Sequence, residues 1–449
     1  MGSVDRKIIV LDDDPTGVQT VNGVNVYTDW TDESITDGFT ESRPMFFILT
    51  NSRAWTAARV RSEYKKIADR ILSTARRLGK NFLVISRSDS TLRGHYPLET
   101  EVLRETFERG SCSIDGEILM PFFKEGGRLT IGDVHYVKEG DRLIPAASTE
   151  FARDKTFGYS QSDLKLYIEE KTGGRYKAST VESITLEELR AGDIDGIAAK
   201  LDRLTDFNKA VVNATEYSDV EVFVRALTRS MSDGKNFLFR TAAALPKVIG
   251  GVKDRPLLDR KELVDANNPN GGLIIVGSHV RKTTEQLEAL RAEDGVEFIE
   301  FDVHDVSTAA LERIVGLTEE IILSGRTAVI YTTRRLITLP SEEASLKLSV
   351  RISAALSSIV DRLSIRPKFL IAKGGITSSD IGTIGLHVKR ALVLGQAAAG
   401  VPVWQLGSES KFPGLSYIIF PGNVGAVDTL KNIVSMLRAD TGGRHDGNL

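Results

Sequence analysis

The sequence has a single cysteine, Cys112, in 449 residues. An intramolecular disulfide and a zinc-thiolate cluster are thereby excluded, and the lone thiol reads as a small, semi-buried apolar residue. A surplus of one charge is also missing, since 58 Lys and Arg face 61 Asp and Glu for a formal net charge of -3. Nothing therefore draws the chain as a whole toward nucleic acid or an anionic membrane surface. No apolar run is long enough to span a bilayer, and the first strand follows the N-terminus without a signal-peptide pattern, so a cytoplasmic location is expected. Neither G-x-x-x-x-G-K-S/T nor G-x-G-x-x-G occurs, which removes the two common nucleotide fingerprints. The six histidines show no metal-ligand spacing; His95 and His135 lie by candidate loops and the others are scattered.

What the chain does have is length for two domains, with the 41% hydrophobic and 27% charged composition of a globular protein. Apolar runs alternate with helical patterns, and several runs end in polar loops. Lys7-Ile8-Ile9-Val10-Leu11 leads into Asp12-Asp13-Asp14-Pro15-Thr16-Gly17. Adjacent carboxylates repel, so a cation, a basic side chain or a substrate hydroxyl is expected to offset them. Pro44-Met45-Phe46-Phe47-Ile48-Leu49 ends in Thr50-Asn51-Ser52-Arg53, and a helix with apolar positions from Val60 to Leu78 closes at Gly79. Phe82-Leu83-Val84-Ile85 then delivers Ser86-Arg87-Ser88-Asp89-Ser90-Thr91-Leu92-Arg93-Gly94-His95. Guanidinium groups suit a carboxylate and the hydroxyls and Asp89 suit sugar-like OH groups, a set that fits a small polyhydroxylated anion. Strand, helix and strand in this order predict a parallel, doubly wound sheet with ligands at its carboxyl edge. The stretch 146–175 is expected as a polar cover over a cleft.

A charged, proline-containing region follows Phe237-Leu238-Phe239-Arg240, and the second half restarts at Gly272-Leu273-Ile274-Ile275-Val276-Gly277-Ser278. The expected divisions are a domain over 1–245, a linker region over 246–271, a second domain over 272–440 and a disordered tail over 441–449. In the second half Phe369-Leu370-Ile371-Ala372-Lys373 leads into Gly374-Gly375-Ile376-Thr377-Ser378-Ser379-Asp380, and Ser416-Tyr417-Ile418-Ile419-Phe420 into Pro421-Gly422-Asn423-Val424-Gly425. Glycine turns at helix starts, with Thr and Ser beside them, can cradle phosphate or simply cap the helix.

Taken in order, these blocks resemble the four-carbon acid sugar kinase family, once known only as a domain of unknown function. Asp13-Asp14-Pro15-Thr16-Gly17 is similar to its N-terminal Asp-Asp-x-Thr-Gly, and Asp89-Ser90-Thr91-Leu92-Arg93-Gly94 to its Asp-Ser-Thr-Leu-Arg-Gly. Asp133-Val134-His135-Tyr136-Val137 and Asp154 stand where it has a mid-domain signature, and Gly277-Ser278, Gly374-Gly375-Ile376-Thr377 and Gly422-Asn423-Val424-Gly425 follow its nucleotide turns. The resemblance implies two α/β domains, each a mostly parallel sheet flanked by helices, with the active site in the interdomain cleft. It implies an ATP-dependent kinase, with Mg²⁺, acting on a hydroxyl of a four-carbon sugar acid of the threonate, erythronate or 3-oxo-tetronate type. Asp13, Arg53, Ser88, Asp89, Ser90, Thr91 and Arg93 would hold the acid, with Asp14 or Asp13 as the base. Ser278, Gly374, Gly375, Ile376, Thr377, Gly422 and Asn423 would hold the nucleotide. The implied partners are the sugar acid and ATP, with neither nucleic acid nor membrane, and a homodimer is allowed.

Some positions depart from the family pattern: Val280 near a usual second Ser, Phe420-Pro421 where a basic residue is common, Pro15 where Phe is common, and the extra acid Asp12. They mark a divergent branch. Two alternatives stay open. Asp12-Asp13-Asp14-Pro15-Thr16 literally satisfies the Asp-x-Asp-x-Thr of haloacid-dehalogenase-like phosphatases, with Asp12 as nucleophile and Asp14 as acid/base. A sugar-acid and nucleotide sensor without turnover is the other.

Overall fold

Short runs of Ile, Val, Leu and Phe without polar alternation need burial on both faces, which a parallel sheet covered by helices supplies. The computed structural model describes residues 6–334, 342–422 and 424–439, with the backbone alone at 342–347 and 349. It divides into two compact units, one of residues up to Arg255 together with Lys389–Val393, the other of Pro256–Val388 and the residues from Leu394 on. The expected tail 441–449 lies outside the described residues. Two short helices, Ala244–Ile249 and Arg260–Leu263, flank the unit boundary. The return of Lys389–Val393 to the first unit has no sequence signal.

In the first unit the strands are β1 (Lys7–Asp12), β2 (Asn25–Tyr27), β3 (Met45–Leu49), β4 (Phe82–Arg87) and β5 (Gly116–Met120). A separate antiparallel sheet follows, β6 (Arg128–Ile131), β7 (Val134–Glu139) and β8 (Arg142–Pro145). Then come β9 (Glu182–Ile184), β10 (Asn208–Val212) and β11 (Phe237–Thr241). The main sheet runs β2-β3-β1-β4-β11-β5-β10-β9, and each of these neighbours is parallel. β1 lies at the point where the chain turns from one side of the sheet to the other, and all its residues are buried. Ligand crevices of open α/β sheets form at such a point. The helix Ala57–Leu78 starts on the Thr56 side chain, which accepts from the Arg59 N–H, and buries Val60, Tyr64, Ile67, Ile71 and Ala75 on one stripe. Gly79, at φ 62°, stops it in the left-handed conformation that suits glycine.

The segment expected as a polar cover is instead part of a core. Ala146, Ala152, Tyr159, Leu164, Tyr167 and Ile168 pack with Leu92, Tyr96 and Leu119. Its apolar residues lie at irregular spacing across short turns and one helix, Leu164–Lys171, so no single periodicity exposes them in the sequence.

The second unit contributes β12 (Leu273–Val276), β13 (Val296–Phe301), β14 (Thr327–Thr332), β15 (Leu370–Lys373), β16 (Arg390–Ala398, shared at its start with the first unit), β17 (Val401–Leu406) and β18 (Ser416–Phe420). Strands β13-β14-β12-β15-β18 are parallel neighbours and β17 runs antiparallel to β18. The helices Arg281–Leu290 and Thr429–Arg438 cover one face through Leu287, Leu290, Leu430, Ile433 and Val434. Among the described residues no helix is long and apolar enough to cross a membrane.

Candidate functional site

In the first unit the carboxyl ends of β1, β3 and β4 bring three polar loops together. Arg53, after β3, grips the loop after β1: its Nη2 donates to Asp13 Oδ1 at 2.7 Å and its Nε to Asp13 Oδ2 at 3.2 Å, while Nη1 reaches Asp14 Oδ2 at 3.3 Å. Ser88 Oγ, after β4, donates to Asp13 Oδ2 at 2.7 Å. Asp13 is 1% exposed, whereas the Asp14 side chain one residue later is 19% exposed. Burial pushes the Asp13 carboxyl up, but Arg53 and Arg87 outweigh it and hold the group below the usual carboxylate range. Asp14 Oδ1 accepts from the Thr16 N–H at 2.8 Å and from its hydroxyl at 2.5 Å.

Asp12 lies deeper, 2% exposed, and accepts from Arg87 Nη1 at 3.1 Å. Burial pushes its carboxyl up to about 7 against the pull of Arg87, and Asp13 and Asp14 add to the rise. A Cβ on Gly17 would fall 2.0 Å from Asp12 Oδ2, so the backbone closes over this carboxyl. A phosphatase nucleophile must lie open to an incoming phosphorus; Asp12 is buried and tied to Arg87, which weighs against the phosphatase reading.

The Asp89 to Gly94 loop is held on two sides. Within it Asp89 Oδ2 accepts from Arg93 Nε at 2.7 Å and from the Thr91 hydroxyl, and Arg93 lies 3.8 Å from Asp154. Burial opposes ionisation of Asp89, but Arg53 and Arg93 overcome it and keep the carboxylate charged. From behind, three buried side chains bond consecutive loop carbonyls: His135 Nε2 to Ser90 O at 2.7 Å, Tyr159 Oη to Thr91 O at 2.8 Å and Tyr167 Oη to Leu92 O at 2.9 Å. Leu92 takes φ 68°, a conformation uncommon for a branched side chain, and the clasp keeps it there. His135 Nδ1 faces the Thr130 hydroxyl at 3.0 Å, and burial pushes its ring down to about 4, so it stays neutral. Beside the loop, Gly94 at φ 122° leaves room for Arg240, whose Nη2 would lie 2.6 Å from an added Cβ. Arg240 Nη1 donates to Ser86 Oγ at 3.2 Å and pairs with the buried Glu99.

In the second unit the neighbouring strands β12, β15 and β18 end in glycine turns that touch one another. A Cβ on Gly277 would fall 2.0 Å from Thr377 Oγ1, one on Gly374 3.2 Å from Ser278 Cβ, and one on Gly422 2.6 Å from Ser278 Oγ. Thr283 Oγ1 ties the turns together, donating to Gly422 O at 2.9 Å and standing 3.1 Å from Ser278 Oγ. Arg334 Nη1 donates to Ser278 O at 2.6 Å. The helix Gly375–Asp380 starts from Gly374, and Ile376 on it is exposed. Such close backbone approaches are how glycine turns admit phosphate groups.

The structure thus gathers Asp13, Asp14, Arg53, Ser88, Asp89, Ser90, Thr91 and Arg93 in one place, and Ser278, Gly374, Gly375, Ile376, Thr377 and Gly422 in another. Asn423 lies outside the described residues. Sequence reading placed Arg87 in the loop stretch without assigning it a role, missed Arg240 although it ends an apolar strand run, and missed the clasp of His135, Tyr159 and Tyr167. Thr283 and Arg334 in the second unit carried no signal beyond being polar.

Comparison with known proteins identifies the two domains. A model of the sugar-binding N-terminal domain matches residues 8–249, and one of the nucleotide-binding C-terminal domain matches residues 273–430. A solved structure from Salmonella typhimurium LT2 shares the fold at TM-score 0.69 and 17% identity, over 94% of this chain and 98% of the other. One from Haemophilus influenzae, of the family DUF1537, does so at TM-score 0.63 and 17% identity, over 96% and 100%. Comparison with curated protein sequences yields no match. With these two domains in this order along its length, the chain belongs to the four-carbon acid sugar kinase family.

Proposed function

We propose that the protein is a sugar-acid kinase, which transfers the terminal phosphoryl group of ATP to a hydroxyl of a four-carbon sugar acid of the threonate, erythronate or 3-oxo-tetronate type. The observation that carries this reading is the unequal treatment of two adjacent carboxylates. Asp13 is locked in a fork by Arg53 and capped by Ser88, while Asp14 keeps an exposed edge beside the same guanidinium. Asp14 is then the base that accepts the proton of the attacking hydroxyl, and Asp13 holds Arg53 in place. Arg53 and Arg93, both partly exposed, offer planar donors to the acid's carboxylate, and Asp89 with the Ser90 and Thr91 hydroxyls meets its OH groups.

Ser278, Gly374, Gly375, Thr377 and Gly422 receive the nucleotide at the strand ends of the second unit. Phosphoryl transfer asks the protein mainly for positioning and charge neutralisation. Mg²⁺ enters this reading as part of the ATP substrate, carried on phosphate oxygens; among the described residues no group of three His, Cys, Asp or Glu side chains forms a metal site.

The test is a coupled ADP-release assay with MgATP against a panel of four-carbon sugar acids. The expected result is acid-dependent ADP with a matching phosphorylated product, abolished in Asp14→Asn. Nucleotide binding without ADP release for any acid would make the chain a sensor, and phosphate release from sugar phosphates that is lost in Asp12→Asn would revive the phosphatase.

A further inference from the structure

Lys373 ends β15, between Val276 of β12 and Phe420 of β18. Its side chain is 0% exposed. Nζ donates to the carbonyl of Pro421 at 3.1 Å and stands 3.8 Å from the centre of the Phe420 ring. An ammonium carries three donors, and here they meet one carbonyl and a ring face. Among the described residues no carboxylate forms an ion pair with it, and the charged group that acts on it is another cation, Lys282. A buried charge without a counter-ion is strongly unfavourable, and proteins seldom keep one without a use.

The position of the charge suggests that use. The backbone carbonyl of Lys373 accepts from the N–H groups of Gly277 and Ser278, each at 3.2 Å, and the N–H of the next residue, Gly374, bonds Phe420 O at 2.9 Å. The lysine is therefore rooted where the three glycine turns meet, and its ammonium lies against the residue before Gly422.

We propose that Lys373 is the phosphate-binding cation of the nucleotide site, held beneath the Pro421-Gly422 turn and awaiting the negative charge of a nucleoside triphosphate. The inference rests on the reading of these turns as the nucleotide site. Burial, with Lys282 adding to it, pushes the ammonium down to about 7, so at neutral pH the charge is only partly present until an anion restores it. A lysine serves phosphate as a point charge and needs no planar fork.

The experiment is calorimetric titration of the full chain and of Lys373→Met with ATP and with adenosine, in Mg²⁺, alongside melting of the ligand-free proteins. In the variant, ATP affinity is expected to fall between tenfold and a hundredfold, adenosine affinity to stay within twofold, and the ligand-free melting temperature to hold or rise, since a methionine needs no counter-ion there. An unchanged ATP affinity, an equal loss for both ligands, or a lower melting temperature would overturn the inference and leave Lys373 a packing residue. Should Lys373→Met not fold, Lys373→Gln carries the same comparison. Failure of the parent chain to bind either ligand would sink the nucleotide-site reading itself, and this inference with it.

Discussion

The two units place their polar groups at the same position, the carboxyl ends of parallel strands, and build opposite kinds of site there. In the first, buried carboxylates and guanidinium groups interlock, with Asp12, Asp13 and Glu99 paired to Arg53, Arg87 and Arg240 before any ligand arrives. In the second, glycines bring backbone within reach of hydroxyls, and one buried lysine has no acid paired with it among the described residues. A polyhydroxylated acid needs directional partners fixed in advance, whereas phosphate is satisfied by N–H groups and a point charge. On the proposed reading, folding and recognition therefore share the same bonds in the first unit and are separable in the second.

The sharpest way to break this comparison is at Asp14, which the first site leaves only partly engaged. Asp14→Asn is expected to lower kcat by about 10³-fold, the scale of a general base, with ATP affinity unchanged; an assay with substantial turnover would remove Asp14 from the mechanism. Arg53→Met strikes the interlock itself and leaves buried Asp13 to Ser88 and the Arg87 guanidinium at 3.6 Å, which should cost somewhat less than the roughly 3–5 kcal/mol of a wholly unpaired buried charge, as well as sugar-acid binding. Urea unfolding and substrate titration on the same samples check whether the two losses travel together.

The clasp behind the loop gives a pH signature. An unfolded chain protonates His135 near 6.5, while the folded protein refuses that proton until about 4, so stability falls as pH drops through this window, by about 3 kcal/mol in all. His135→Gln should flatten that acid limb. Measuring urea midpoints against pH beside the parent chain cancels the opposite contribution of Asp12, whose raised carboxyl favours folding toward lower pH. The smallest effect belongs to the second unit: Gly422→Ala meets Ser278 Oγ at 2.6 Å and is expected to weaken ATP binding about tenfold, ~1.4 kcal/mol, with unfolding midpoints nearly unmoved. A matching stability loss there would erase the contrast between the units.

Much of this was legible because it is local. Runs such as Ile8-Ile9-Val10-Leu11 and Phe82-Leu83-Val84-Ile85 announce buried strands, and the loops they deliver follow at once in the sequence. The partners that tune those loops are not local. Arg240 reaches Glu99 and Ser86 across the sheet, and the residues that fix Leu92 come from irregular turns whose apolar spacing has no period. The departure at Phe420-Pro421 is visible in the sequence, but the lysine that ends against Pro421 follows from the register of β15 and β18, which sequence alone does not supply.

The three-point grip on the carbonyls of Ser90, Thr91 and Leu92 comes from residues 45, 68 and 75 positions downstream. On the proposed reading, substrate preference can be altered through residues that do not themselves touch the acid. Tyr159→Phe, for example, would remove the hydroxyl that holds the Thr91 carbonyl. On the same reading, a comparison of related chains that considers only the loop residues overlooks the side chains that fix the loop's backbone.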